Sequence, residues 1–144
     1  PDKKERKAIL EELKNETRTI ILYEAPHHLV GTLQELYQAL GNRRMTLCRE
    51  LTKKYETAFR TTIEDLIAFY KDQKPLGECV LVIEGRSRKE MEQESQESWR
   101  DISIEEHMAI YENQGIARKE AMKMVAKDRG VTKREIYQAL LKDE

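Results

Sequence analysis

The pattern of apolar residues changes abruptly near residue 85, and this change constrains the fold more than any other feature. Before it, short runs rich in β-branched and aromatic residues alternate with amphipathic helical segments, whereas only helical spacing continues after it. Strands that alternate with helices indicate a layered α/β domain. We therefore predict an α/β domain over residues 1–85, a charged linker over 86–101 and a helical extension over 102–144.

The first region contains predicted strands at 17–25, 44–51, 57–63 and 78–85. The last of these, ECVLVIEG, is almost wholly apolar, which is typical of a central strand covered on both faces. Predicted helices at 3–15, from Pro26 to Gly41, and at 64–72 separate the strands, with Gly41 placed to end the second helix. The expected fold class is α/β, with helices packed on a mixed sheet.

The second region begins with RSRKEMEQESQESWRD, whose nine charged residues and few apolar ones predict a linker. Three short helices are then expected, and their sequence resembles a helix-turn-helix in which the last helix follows a tight turn at Gly130 with a cap at Thr132. Seven cations against two anions between Arg118 and Arg134 predict a basic face. The residues expected inside this bundle are Ile104, Met108, Tyr111, Ala117, Ala121, Met124, Val125, Ile136, Tyr137, Leu140 and Leu141.

Composition excludes several classes of protein. The net charge is −1, from 26 basic and 27 acidic residues, so any attraction to nucleic acid must come from local patches. The longest apolar runs have about five residues, far short of the roughly 20 needed to cross a bilayer, and no signal peptide is recognised. Cys48 and Cys79 are predicted to be reduced core residues of a cytosolic protein. Because the chain starts without Met, we expect it to be a piece of a longer protein.

Candidate catalytic chemistry is sparse. His27 and His28 are adjacent, and neighbouring helical residues point about 100° apart, so we expect no shared metal and no metal site elsewhere. His107 is predicted to be a structural residue on an exposed helix. The six glycines are scattered singly, which excludes a Gly-rich phosphate loop. No nucleophile–base pair and no general base can be identified.

The stretch RELTKKYETAFR, from Arg49 to Arg60, places four cations directly after a predicted strand. One interpretation is a solvated hairpin, because charges commonly protect strand edges from unwanted pairing. The other interpretation is a binding site for an anion. The residues alone leave these two interpretations equally open.

Three blocks, ILYEAPHHLVGTLQEL, RELTKKYETAFRTTIEDL and GECVLVIEG, occur in this order. Together they resemble the C-terminal half of the ribosomal RNA small-subunit methyltransferase I family, the 2′-O-ribose cytidine methylases of the tetrapyrrole (corrin/porphyrin) methylase superfamily. The resemblance covers residues 1–85 and begins with the Pro-plus-basic segment PDKKERKAILEEL. Separately, the helical tail is similar to an extension found on some members of the family. Two positions depart from the family pattern, His28 in place of Arg and Thr61 in place of Gly.

This resemblance implies a cytoplasmic two-domain enzyme that holds S-adenosylmethionine between an N-terminal domain and the α/β domain seen here, so this chain alone should be inactive. It further implies a small-subunit ribosomal RNA substrate and a homodimer. The implied cofactor contacts are Tyr23, Glu24, Ala25 and Pro26. The RNA contacts expected from the resemblance and from the basic tail are His27, Arg49, Thr52, Lys53, Lys133 and Arg134.

Two alternatives remain. One is a methyltransferase of the same superfamily that acts on a tetrapyrrole, although the basic loop suits such a substrate poorly. The other is a non-enzymatic module that binds nucleic acid through the helical tail.

Overall fold

The computed structural model describes residues 2–142, which form two compact units that divide between Ser87 and Arg88. The first unit is an α/β unit and the second is wholly helical. In the α/β unit the helices are α1 (Lys3–Leu13), α2 (Leu29–Leu40) and α3 (Ile63–Phe69), and a 3₁₀ turn (Pro26–His28) precedes α2. The strands are β1 (Ile20–Glu24), β2 (Arg44–Arg49), β3 (Thr57–Thr62) and β4 (Cys79–Ile83).

The four strands form one sheet in the order β1-β4-β2-β3. This arrangement confirms the α/β class, but the sheet is not mixed, since all three strand pairings are antiparallel. The reason is that β4 inserts between β1 and β2, which run in the same direction and are joined through α2. The unit β1–α2–β2 is therefore a split βαβ crossover, and the insertion of β4 is a long-range pairing that helix–strand alternation does not reveal.

Helices cover one face of the sheet. The buried core there comes from alternate residues of the central strands and from the apolar stripes of α2 and α3, and it comprises Ile20, Leu29, Leu33, Leu36, Leu40, Met45, Leu47, Ile63, Leu66, Tyr70, Cys79, Leu81 and Ile83. The prediction that β4 is covered on both faces is wrong for this unit, because Val80 and Val82 on the opposite face are only half-buried. On that open face the Tyr23 side chain is 83% exposed.

Local signals account for the helix ends of this unit. Asp2 caps α1 by accepting a hydrogen bond of 2.8 Å from the Glu5 N–H, and Thr62 caps α3 by accepting one of 3.2 Å from the Asp65 N–H. The helix α2 ends as predicted at Gly41, whose φ of 75° is costly for residues with a side chain. These caps satisfy N–H groups that a helix start leaves without partners.

The helical unit contains α4 (Arg88–Ser98), α5 (Ile104–Glu112), α6 (Arg118–Arg129) and α7 (Lys133–Lys142). The predicted linker is therefore corrected, because most of it forms α4. The linker was predicted from the high charge of this segment, but Glu, Lys, Arg and Gln are also good helix formers. Just beyond α4, Trp99 stacks on His107 with ring centroids 3.9 Å apart, so the segment is packed within its unit.

The core of the helical unit joins α5, α6 and α7. Its buried members are Met108, Ala121, Val125, Ala126, Ile136 and Leu140, with Ile104 and Tyr111 packed against them. The expected bundle of three helices is thus present, together with α4. Three residues predicted to lie inside are instead exposed: Ala117 at the start of α6, and Tyr137 and Leu141 on the outer face of α7.

His107 is structural, as predicted, but it is completely buried instead of lying on an exposed helix. Its Nε2 lies 2.9 Å from Asp128 Oδ2, and its Nδ1 accepts a hydrogen bond of 3.0 Å from Arg129 Nε. The Tyr111 hydroxyl donates to the same Asp128 oxygen, which raises the pKa of Tyr111 to about 12. Because Arg129 donates to Nδ1, the proton of the neutral ring lies on Nε2 and points to Asp128.

Candidate functional site at the sheet edge

The two strand ends singled out by the sequence lie at the same edge of the sheet. Across the strands, Glu24 pairs with Cys79, Cys79 with Arg49, and Arg49 with Thr57. The C-terminal ends of β1 and β2 therefore lie on either side of the first residue of β4. The split βαβ crossover produces this juxtaposition, because it makes β1 and β2 run in the same direction. We call the segments 23–28, 49–57 and 76–79 together the sheet edge.

At the end of β1, both oxygens of the Glu24 carboxylate have partners within the chain. The Thr32 hydroxyl donates to it at 2.6 Å, the Ala25 N–H donates at 2.8 Å, and Arg6 Nη2 lies 3.8 Å away. Burial tends to raise the pKa of Glu24, but these hydrogen bonds and the Arg6 charge outweigh it and lower the pKa. Glu24 therefore anchors the end of β1 to α1 and α2.

The other predicted cofactor residues present an apolar surface. Tyr23 exposes its ring, and Ala25 and Pro26 are half-buried. The Ala25 carbonyl accepts from the His28 N–H at 3.1 Å, and the Pro26 carbonyl accepts from the Leu29 N–H, so the main chain here closes its own turn. The contacts offered to a ligand are thus an aromatic ring, a methyl group and a proline ring.

The two histidines of the turn are exposed, with ring centroids 4.0 Å apart. Among residues 2–142 no group of three His, Cys, Asp or Glu side chains is arranged to hold a metal ion. Both histidines belong to segment 23–28 of the sheet edge.

At the end of β2, the Arg49 guanidinium binds the neighbouring loop. Its Nε donates to the Leu76 carbonyl at 2.9 Å, and its Nη2 donates to the same oxygen. Arg49 was predicted to contact RNA, and its side chain already fixes the segment that leads into β4. Three of its five N–H donors, both on Nη1 and the second on Nη2, are not used by Leu76.

Glu50 connects the same two loops from the other side. Its N–H donates to the Glu78 carbonyl at 3.2 Å, and its carboxylate accepts from the Glu78 N–H at 3.0 Å. Its side chain also occupies the space beside Gly77, where any Cβ would overlap Glu50 Oε1. A hydrogen bond from Lys53 is the main cause that lowers the pKa of Glu50.

Lys53, the central candidate for RNA binding, lies between two carboxylates. Its ammonium group is 3.2 Å from Glu50 Oε2 and 3.6 Å from Glu78 Oε2, and the hydrogen bond to Glu50 is the main cause that raises its pKa. The next residue, Lys54, lies 5.7 Å from the centroid of the exposed Tyr55 ring. Lys53 is thus paired with the carboxylates of Glu50 and Glu78, whereas the Lys54 ammonium group lies near the exposed ring of Tyr55.

The loop that carries these residues has a strained backbone. Glu50 has a φ of 52° and Thr52 a φ of 64°, the left-handed region that non-glycine residues seldom adopt and β-branched ones least of all. Such outliers concentrate at functional sites, where the surrounding contacts hold them in place. Here the contacts of Arg49 and Glu50 with Leu76 and Glu78 supply that support.

One of the two interpretations of this stretch was a solvated hairpin at a strand edge, and β3 is an edge strand of the sheet. Sequence reasoning missed the contribution of residues 76–79. The sequence signal for this contribution was Pro75 and Gly77 shortly before β4, since Pro and Gly commonly mark loops. Cys79 starts β4, and burial raises the pKa of its thiol against the opposing effect of Arg49.

The cysteines are free, as predicted, but only Cys79 is buried. Cys48 pairs with Val80 on the open face of the sheet, while Cys79 points into the core. Val80, the partner of Cys48, follows Cys79 in β4, and adjacent residues of a strand point to opposite faces. The two thiols therefore lie on opposite sides of the sheet.

The remaining predicted residues, Lys133 and Arg134, lie in the first turn of α7 in the helical unit. Arg134 is exposed and Lys133 half-buried. Between residues 2 and 142 no helix is both long and apolar enough to cross a membrane.

No protein-family model matches the chain. Curated proteins do match it, among them several with the name ribosomal RNA small subunit methyltransferase I. The protein of Bacillus subtilis (strain 168) is 44% identical over 137 residues, which are 95% of this chain and 47% of that protein. That of Halalkalibacterium halodurans is 42% identical over 94% of this chain and 46% of its own length. That of Synechocystis sp. is 39% identical over 96% of this chain and 48% of its own length. The chain therefore spans about half the length of the relatives it matches.

Proposed function

We propose that this chain, homologous along almost its whole length to ribosomal RNA small subunit methyltransferase I proteins, is the C-terminal half of such an enzyme. The reaction would be the transfer of a methyl group to the ribose 2′-OH of a cytidine in small-subunit ribosomal RNA. The observation that carries this proposal is the 39–44% identity to these relatives over 94–96% of the chain.

S-adenosylmethionine would supply the methyl group on its sulfonium sulfur. The sheet edge fits one wall of a site for it. Tyr23, Ala25 and Pro26 offer aromatic and apolar contact. The Glu24 oxygens already accept hydrogen bonds from Thr32 and Ala25 and lie near Arg6, so only their remaining lone pairs would accept from the cofactor. We assign Glu24 the role of holding this wall in place. Ligand sites commonly lie between domains, so the other wall belongs to the half not represented here.

The RNA would approach the same edge through the strained loop. The proposed contacts to phosphate and ribose are His27, Thr52, Lys53 and the N–H groups of Arg49 that Leu76 does not accept. Lys133 and Arg134 are the proposed contacts of the helical unit. Cations supply the part of RNA affinity that does not depend on sequence. The contribution of this chain to the chemistry is positioning, since methyl transfer requires the 2′-OH in line with the sulfonium methyl.

Methylation of small ribosomal subunits by the complete protein tests the proposal, with the modified nucleoside identified by mass spectrometry. We expect a cytidine methylated on its ribose, and methylation of a base or of no nucleotide would contradict the proposal. For the present chain alone we expect neither methylation nor cofactor binding tighter than about micromolar in calorimetry. The cytoplasmic location and the homodimer stay predictions.

A further inference from the structure

The outer face of α7 carries a stripe of four side chains, Arg134, Tyr137, Gln138 and Leu141, all of them exposed. They recur at intervals of three and four residues and therefore share one side of the helix. Tyr137 is 53% exposed and Leu141 50% exposed, although their apolar character predicted burial. The contribution of α7 to the core of the helical unit comes from Ile136 and Leu140 on its inner face, and not from these two side chains.

The frame that presents this stripe is a pair of helices joined by a short turn, the connection that a helix-turn-helix has. The first helix, α6, ends at Gly130 with a φ of 68°, and α7 begins three residues later. Thr132 accepts a hydrogen bond of 3.2 Å from the Glu135 N–H, while Glu135 accepts from the Thr132 N–H at 2.6 Å, so the start of α7 is fixed. Motifs of this type commonly place the second helix on nucleic acid.

Charge is strongly segregated within the helical unit. Residues 88–112 contain three Lys or Arg against eight Asp or Glu, whereas residues 113–142 contain eight against three. Some of these cations are engaged, as Arg118 is with Glu112 at 3.2 Å and Lys123 with Glu120 at 3.0 Å. Arg134 and Lys127 form no ion pair with any residue between 2 and 142. The stripe therefore lies on the positive half of its unit.

We propose that this stripe is a second RNA-contact surface, separate from the sheet edge, at which Tyr137 stacks on an unpaired base and Arg134 binds a phosphate. The inference rests on the proposed function for the choice of RNA as the partner. Two exposed apolar side chains cover far less than the roughly 800 Å² per partner of a stable protein interface. An aromatic ring beside a free cation is the combination that single-stranded RNA binds.

Binding of the 144-residue chain to a labelled RNA stem-loop, followed by fluorescence anisotropy over a series of salt concentrations, tests this proposal. We expect Tyr137→Ala to weaken binding by roughly tenfold, which is within the range for one stacked base. Tyr137→Phe should bind as the unmodified chain does, because it keeps the ring. We expect Arg134→Ala to reduce the slope of log affinity against log salt by roughly 0.7–0.9. Lys89→Ala, on the acidic α4, is the matched control and should change neither quantity.

Unchanged RNA affinity in both Tyr137→Ala and Arg134→Ala would overturn the proposal. A change in oligomeric state on sedimentation, with unchanged RNA affinity, would also overturn it and would identify the stripe as a contact between copies. The experiment does not measure methylation. A complete protein that failed to methylate ribosomal RNA would contradict the proposed function, yet it would leave a measured effect of Tyr137 on RNA binding intact.

Discussion

The loop at the sheet edge and the surface of α7 are both rich in cations, but they use them differently. In the loop, Arg49 binds the Leu76 carbonyl and Lys53 lies between two carboxylates, so the positive charges hold the chain in a strained shape. On α7, Arg134 has no ion-pair partner among residues 2–142. A count of basic residues therefore does not measure how much positive charge is available to a partner.

The largest expected effect concerns a polar side chain that is wholly structural. We expect His107→Ala to destabilise the helical unit by about 3 kcal/mol, because it leaves a cavity beside Trp99 and removes the partner of Asp128 and Arg129. His27→Ala, at an exposed position, should cost less than about 0.5 kcal/mol. The melting temperatures of the two variants are compared by thermal unfolding followed by circular dichroism. Equal melting temperatures would show that His107 does not stabilise the helical unit.

A smaller effect tests whether Glu50 and Gly77 hold the loop together. We expect Gly77→Ala to destabilise the α/β unit by about 2 kcal/mol, since Gly77 has a φ of 78° and a Cβ would overlap the Glu50 carboxylate. Gly31→Ala is the matched control, because a Cβ at Gly31 meets nothing within 4 Å and alanine favours the helix. Urea unfolding measures both changes. A urea midpoint of Gly77→Ala at or above that of Gly31→Ala would show that Glu50 and Gly77 do not hold the loop together.

A third prediction concerns acid stability at the anchored end of β1. The pKa of Glu24 is lowered from its ordinary 4.5, so its contribution to stability is present above that value and is lost as pH falls through the folded-state pKa. We expect Glu24→Gln to make the α/β unit less stable at neutral pH and to flatten the fall in its stability below pH 4.5. Melting temperatures measured across this range give the answer. A fall in stability as steep as that of the unmodified chain would show that other carboxylates cause it.

Much of the fold could be predicted because it is encoded locally. The spacing of Leu29, Leu33, Leu36 and Leu40 predicts α2, and the glycines and capping residues predict where helices end. The insertion of β4 between β1 and β2 is a long-range pairing that leaves no local signature. The helix α4 was missed because its charged residues fit a solvated linker as well as a helix.

The sequence indicated which strand ends lie together, but not the contacts that their side chains make. The two strand ends do meet, but the roles of Glu24 and Arg49 depend on partners far away in sequence, at Arg6, Thr32 and Leu76. No periodicity reveals such partners. The exposure of Tyr137 was likewise hidden, because an amphipathic pattern does not distinguish an apolar residue in the core from one kept on the surface to bind a partner.

The most direct test of the account is RNA affinity of the complete protein in a matched pair of variants, Lys53→Ala and Glu78→Gln. If Lys53 binds phosphate, Lys53→Ala should lower activity and affinity about tenfold, which is about 1.4 kcal/mol. Its melting temperature should change little, because exposed ion pairs contribute at most about 1 kcal/mol. Glu78→Gln should tighten RNA binding, because it removes a carboxylate 3.6 Å from the same ammonium group. If both variants instead bind RNA as the unmodified protein does, or lose affinity only in step with stability, Lys53 serves the loop alone and the sheet edge is not the RNA site.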